Sequence, residues 1–276
     1  MARAVAAGDG WSVSDVLCTC GPHDRPFEEQ HSRYSIAIIL AGTFRYRSQT
    51  RQGIRNELMT PGSIFLGNAG QRFECGHEHG EGDRCLSFQF TPEYFERLMS
   101  DSGGADTMFS VLRLPSERDL SPIVTRACAE MTASEERPAV DWEELGIKLA
   151  TQVMQLADGI SRGESRAASP SAVRGVARAV RWIGENSDSA LTLGELARLA
   201  GLSPYHFLRT FEQVAGVTPH QYVRRVRLRE AAIRLATEPA KILDIALDCG
   251  FGDVSNFNRA FRGEFGMSPR GYRLQA

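Results

Sequence analysis

The chain has 276 residues, is 42% hydrophobic and 24% charged, and carries a formal net charge of −2. Its length exceeds a typical domain of about 100–150 residues and favours two units, while its composition excludes disordered, collagen-like and supercharged chains. The near-zero charge hides a split: residues 1–170 hold 17 Lys and Arg against 24 Asp and Glu, and residues 171–276 hold 15 against 10. An anionic partner is therefore expected at the C-terminal half.

The longest purely apolar run, Ile36–Ala41, falls far short of the roughly 18 residues that span a bilayer. Met1–Asp9 lacks the apolar core of a secretory signal. A cytoplasmic protein without a membrane partner is expected. Its six cysteines then read as thiols, metal ligands or redox switches rather than structural disulfides.

In chain order, Tyr34–Leu40, Phe44–Arg47, Ser63–Leu66 and Leu86–Phe90 predict short strands. Turn signals separate them at Gly21-Pro22, Thr60-Pro61-Gly62, Asn68-Ala69-Gly70 and Gly80-Glu81-Gly82. This punctuation predicts a small sandwich or barrel over residues 1–105. From Pro92 the pattern turns helical, through Tyr94, Phe95 and Leu98 and then Ile123–Met131. Trp142, Leu145, Leu149, Val153 and Leu156 follow at spacings of three and four. Residues 106–157 thus form a helical segment whose apolar stripe either packs on the barrel or makes a dimerisation helix. Residues 158–170, polar and small with Gly159, Gly163 and Pro170, predict a linker.

Four of the six cysteines and four of the six histidines lie between Cys18 and Cys85. Cys18 and Cys20 share one face of a strand, and Cys75, His77 and His79 do the same if extended. A hairpin turning at Gly80-Glu81-Gly82 brings Cys85 back beside Cys75. Cys75, His77, His79 and Cys85, with Cys18 and Cys20 as further donors, suit zinc or another thiophilic metal. The same residues equally suit a thiol switch, or two small buried cysteines beside a polar loop.

Past residue 170 the chain reads as helical throughout and contains a repeat. Phe207, Arg209, Phe211, Gly216, Pro219 and Tyr222 recur as Phe257, Arg259, Phe261, Gly266, Pro269 and Tyr272 at an offset of fifty residues. Leu196-Ala197 with Gly201 answers Ile245-Ala246 with Gly250 at an offset of forty-nine. Such matches in register mark a duplicated supersecondary unit with helix-turn-helix grammar. In the first copy Thr192 and Glu195 make a capping box, Gly201 ends the helix, and Ser203 and Pro204 open the next. Phe207, Phe211 and Val214 point inward on that second helix, leaving Tyr205, Leu208, Arg209 and Glu212 outward. In the second copy Asp253 is the expected cap. Phe257, Phe261 and Phe265 face the core, and Ser255, Asn256, Asn258, Arg259 and Arg262 face out. Between the copies, Pro219–Thr237 is one arginine-rich helix whose apolar face, including Tyr222, Val226, Ala232, Ile233 and Leu235, binds both. Open second helices suit a major groove, where Asn pairs with adenine and Arg bidentately with guanine. The alternative is a plain helical bundle with solvated arginines.

Residues 171–273 resemble the DNA-binding domain of the AraC/XylS family of bacterial transcription regulators. The likeness rests on Ile245-Ala246-Leu247-Asp248-Cys249-Gly250-Phe251, Ser255, Phe257, Arg259, Phe261, Gly266, Ser268-Pro269 and Tyr272-Arg273. It implies two motifs on adjacent major-groove segments of double-stranded promoter DNA, a homodimer, and contact with RNA polymerase if the outcome is activation, which the family favours. By motif position Tyr205, Leu208 and Arg209 meet the first groove, and Ser255, Asn256, Asn258 and Arg259 the second. Leu208 departs from the polar residue often found there and suits a thymine methyl. His206 beside the cap either touches phosphate or packs locally.

More loosely, His31-Ser32-Arg33-Tyr34, Leu40-Ala41-Gly42 and Met59-Thr60-Pro61-Gly62-Ser63-Ile64-Phe65 resemble the cupin-like effector domains of that family. The expected fold is therefore α+β. An N-terminal cupin-like β-barrel with following helices precedes an all-α domain, residues 171–276, with two helix-turn-helix motifs joined by a long helix. The effector is a metal ion or thiol-reactive signal, or a small organic molecule. A rival class is a metal-dependent cupin enzyme using His77, His79 and Asp83. No catalytic signature such as His-Glu-x-x-His, a P-loop or Gly-x-Ser-x-Gly is present, so a non-enzyme is expected.

Overall fold

The isoleucine-rich segment at residues 34–39 is buried throughout, and this places it at the centre of the N-terminal half. A strand covered on both faces needs no alternation of polar and apolar residues. In the computed structural model, residues 1–50, 53–77, 82–101, 107–132, 141–160 and 168–275 are described, except for the side chains of 158–160. The strands are β1 (Ala2–Gly8), β2 (Trp11–Cys18), β3 (Phe27–Gln30), β4 (Tyr34–Gly42), β5 (Phe44–Thr50), β6 (Gly53–Met59), β7 (Ile64–Gly67), β8 (Arg72–Gly76), β9 (Asp83–Phe90) and β10 (Arg113–Leu114). They form two sheets, ordered β1-β2-β9-β4-β7-β10 and β3-β8-β5-β6, and every pairing among the described residues is antiparallel.

Ala37, Ile39, Phe44, Tyr46, Met59, Cys75 and Cys85 fill the space between the sheets. The outer face of the six-stranded sheet, with Ile36, Ile38, Leu86 and Phe88, packs on α1 (Pro92–Asp101), α2 (Ser121–Glu130) and α3 (Trp142–Ile160). Leu145, Leu149 and Val153 of the predicted apolar stripe are buried in that core. Most of the stripe is therefore used within its own chain, with Trp142 and Leu156 only half-buried. The four predicted strands are present, whereas β1, β3, β6 and β10 had no sequence signal and β8 was expected only as an extended segment at Cys75. β1 is largely exposed and alanine-rich, and its register with β2 rather than its composition makes it a strand.

Two expectations are corrected. The Cys75–Cys85 hairpin does not form, because β8 pairs with β3 and β5 while β9 pairs with β2 and β4 in the other sheet. The two thiols thus enter the core from opposite sheets, and the expected turn residues Gly80 and Glu81 lie outside the described residues. The linker is shorter than predicted, since α3 continues to Ile160 and α4 begins at Pro170. Residues 161–167 of it lie outside the described residues.

His31 sits partly buried, stacked on Phe73 with ring centroids 4.2 Å apart, and its Nε2 lies 2.7 Å from the Tyr46 hydroxyl. Burial lowers its pKa to about 4. The unfolded chain then binds more protons between pH 6.5 and 4, so the folded state loses stability as pH falls through that window. After discounting for partial exposure, His31→Gln is expected to remove about 2 kcal/mol of acid destabilisation. Urea unfolding at pH 7 and pH 4.5 measures it; an unchanged difference between the two would refute the assignment.

The C-terminal half comprises α4 (Pro170–Glu185), α5 (Leu193–Ala200), α6 (Pro204–Ala215), α7 (Pro219–Thr237), α8 (Ile242–Asp248), α9 (Val254–Phe265) and α10 (Pro269–Gln275). Each helix-turn-helix copy has its own core, one around Phe207 and Phe211 and the other around Phe257 and Phe261. Helix α7 serves both, placing Tyr222 in the first and Leu228, Ala232 and Leu235 in the second. Its Arg227 donates to the carbonyls of Ser187, Ser189 and Gly250, tying α7 to loops of both copies.

The halves are docked through the segment from β10 to the start of α2. Arg113 donates to the Val214 and Ala215 carbonyls at the C-terminus of α6, at 3.0 and 3.2 Å, where a cation also meets the helix dipole. Ser121 donates to Glu264 of α9 at 2.5 Å, and Glu264 pairs with Arg225 at 3.3 Å. Arg225 also donates to the Ser116 carbonyl. A single stretch of nine residues, 113–121, therefore holds the second helix of both copies.

Candidate nucleic-acid interface

The caps read from sequence position both exposed helices. Thr192 and Glu195 form the reciprocal box at the start of α5. Gly201 turns the chain with φ 72°, a left-handed conformation that suits glycine. Ser203 caps α6 by accepting from the His206 amide, and Asp253 caps α9 by accepting from the Asn256 amide at 2.7 Å.

On α6 Tyr205 is 64% exposed and Arg209 and Glu212 are exposed, while Leu208 is half-buried. Arg209 donates to the Tyr205 hydroxyl at 3.4 Å and lies over its ring. His206 is exposed, with Nδ1 2.9 Å from Ser203 Oγ, so its ring is engaged with the cap. On α9 Ser255, Asn256, Asn258, Arg259 and Arg262 are all exposed. Arg259 donates to Asn256 Oδ1, and Asn256 donates to Asp253 at 2.5 Å, a relay that orients the guanidinium.

Between these helices lies a groove of about 980 Å³ lined by Leu208, His220, Arg224, Asn256 and Arg259. Arg224 Nε is buried without a hydrogen-bond partner among the described residues. Sequence reasoning treated the arginines of α7 as one set, and the structure divides them. All three of Arg224, Arg225 and Arg227 line the groove, but Arg225 and Arg227 are bound to protein acceptors.

The cysteine and histidine residues sort differently from expectation. The side chains of Cys18, Cys20 and His77 bring three donor atoms within 4.8 Å of one another. Cys75 and Cys85 lie in the apolar core, where burial raises both thiols, Cys85 to about 12. His79 lies outside the described residues. All six cysteines are free thiols.

Residues 16–148 match the family described as AraC-like ligand binding domain, and residues 196–275 match the family described as Helix-turn-helix domain. The regulatory protein SoxS of Salmonella typhimurium is 37% identical over 94 residues, which is 34% of this chain and 88% of SoxS. The chain belongs to the AraC family of transcription regulators. This AraC-family protein is thus a DNA-binding regulator with an N-terminal ligand-binding domain. The transcriptional activator AarP of Providencia stuartii is 36% identical over 93 residues, covering 34% of this chain and 69% of AarP. Among solved structures, an AraC-type regulator from Chromobacterium violaceum is 30% identical over 37% of this AraC-family chain and 90% of its own, with a TM-score of 0.35. ToxT from Vibrio cholerae covers 98% of this chain and 97% of its own at 15% identity and a TM-score of 0.39.

Proposed function

We propose that this AraC-family regulator reads an asymmetric promoter site with both helix-turn-helix copies and activates transcription when its N-terminal half receives an effector. Residues 1–105 and the helices up to Ile160 form the sensing unit, and residues 171–276 the DNA-binding unit. Tyr205, Leu208 and Arg209 meet base edges in one major-groove segment, and Ser255, Asn256, Asn258 and Arg259 in the next. Arg224 neutralises phosphate between them, and His206 and His220 are placed to hydrogen-bond it. The observation that carries this reading is the shared groove on which α6 and α9 both open, with Arg224 in its wall.

Control runs through residues 113–121. An effector that shifts β10 or α2 changes what Arg113 and Ser121 hold, and so the relative position of α6 and α9. Activation rather than repression is supported by AarP, named as an activator. Homodimerisation, contact with RNA polymerase and a cytoplasmic location complete the proposal, with binding rather than turnover as the activity. Selection of duplexes from a random pool by the full-length protein tests it. Enrichment of one asymmetric motif with two blocks about one helical turn (~10 bp) apart supports the reading. A symmetric motif or no enrichment would overturn it.

A further inference from the structure

Three strands of the larger sheet end at one corner of the N-terminal half. Cys18 closes β2 opposite Asp83, the first residue of β9, and Gly42 closes β4 opposite the same Asp83. The corner is tightly drawn. The Gly82 amide donates to the Cys20 carbonyl at 2.8 Å. A Cβ on Gly42, at φ +76°, would lie 2.2 Å from the Gly82 carbonyl oxygen, so only glycine lets β4 approach there. Nearby in sequence, Thr43 is 1% exposed with a hydroxyl that has no hydrogen-bond partner among the described residues.

Into this corner comes His77, 4% exposed, from just past the end of β8 in the other sheet. Its Nε2 lies 2.5 Å from Asp83 Oδ1, so an ion would take its other nitrogen, Nδ1. Cys18 and Cys20 are half-buried, so their sulfurs sit at the edge of the interior rather than inside it.

We propose that Cys18, Cys20 and His77 form a binding site for a thiophilic divalent cation of the zinc class, with Asp83 as the outer carboxylate that orients His77. The donor atoms lie within 4.8 Å of one another. Zinc, with Zn–S near 2.3 Å and Zn–N near 2.0 Å, draws such donors to about 3.5–4 Å, a closure of about 1 Å. Two thiolates and an imidazole are the donor types that this class of ion prefers. A carboxylate on the far nitrogen of a ligating histidine fixes its tautomer and ring orientation, and that partner is in place before any ion arrives. Half-buried sulfurs give an ion access and leave further coordination positions for solvent.

The site deepens the sensing reading above: Cys18 ends and Cys20 follows the strand that pairs with β9, and β9 and β4 carry the sheet on which α2 and α3 rest. Regulation by the ion depends on that reading, whereas binding of the ion does not.

The test uses full-length protein freed of metal, supplied with zinc and assayed by elemental analysis and competition against a chromophoric chelator. The expected result is one zinc per chain in the wild type and in Cys128→Ala. Cys18→Ser and His77→Gln are expected to lose it, and Asp83→Asn to bind zinc about 10–100-fold more weakly. Cobalt in place of zinc should give thiolate charge-transfer absorption that disappears in Cys18→Ser/Cys20→Ser. Binding of each variant to random duplex DNA, and its thermal unfolding, separate a lost site from a lost fold. Zinc retained by the double serine variant would overturn the proposal. So would a wild type that binds no zinc and instead loses two thiols to peroxide, since that pair is then a redox switch. Failure to select a DNA motif would sink the regulatory reading while leaving zinc stoichiometry untouched, so the two failures are distinguishable.

Discussion

Arg225→Met is expected to lower the unfolding free energy of the protein by about 3–5 kcal/mol, because it strands Glu264 as an unpaired buried carboxylate. Arg225 is 9% exposed and Glu264 6%, and both lie where α2 meets α7 and α9. The pair itself is not an ideal one: Arg225 Nε lies 3.3 Å from Glu264 yet makes no well-aligned hydrogen bond. Desolvation of two charges offsets most of their attraction in such a site. The double variant Arg225→Met/Glu264→Leu is therefore expected to unfold within about 1–2 kcal/mol of the wild type. Urea denaturation of the two single variants and the double closes the cycle. Single variants near wild-type stability would show that the docked arrangement leaves these charges solvated. The physical point is that this pair fixes how the halves meet more than it stabilises either one.

The second large effect is expected on DNA. Arg259→Ala should weaken binding to the selected site by about 1–3 kcal/mol, and the Arg209→Ala/Arg259→Ala double by roughly twice that, because the two lie on different helices. Arg259 is the better anchored of the two. Asp253 holds Asn256, and Asn256 holds the guanidinium, so less side-chain freedom is lost on binding. Arg259→Lys should recover only part of the loss, since an ammonium cannot make the bidentate contact. Fluorescence anisotropy with the selected duplex and a scrambled one measures each. Equal losses on both duplexes would mean that the arginines touch phosphate and not bases.

Much of the C-terminal half was legible in the chain. Thr192, Ser203 and Asp253 cap the helices they were expected to cap, and Phe207, Phe211, Phe257 and Phe261 are buried as their spacing required. The N-terminal half was legible only where strands are strongly apolar. β3, whose sequence is Phe-Glu-Glu-Gln, has no strand signal and exists because β8 pairs with it. Glu264 gave no warning either: one acid in a helix with an exposed basic face reads as solvated until Arg225 and Ser121 are seen against it.

The duplicated helix-turn-helix, its caps, the helix that joins the copies and the outward residues of each, Leu208 excepted, can be read from the chain without its fold. These depend on interactions within a turn or two of the chain, and periodicity records them directly. Which thiols meet was set by the fold. Cys75 and Cys85 entered the core from opposite sheets, and Cys18, Cys20 and His77 converged instead. It alone decided that residues 113–121 hold both α6 and α9. Contacts that span dozens to more than a hundred residues depend on which sheet each strand joins and in what register, and no local pattern encodes that choice.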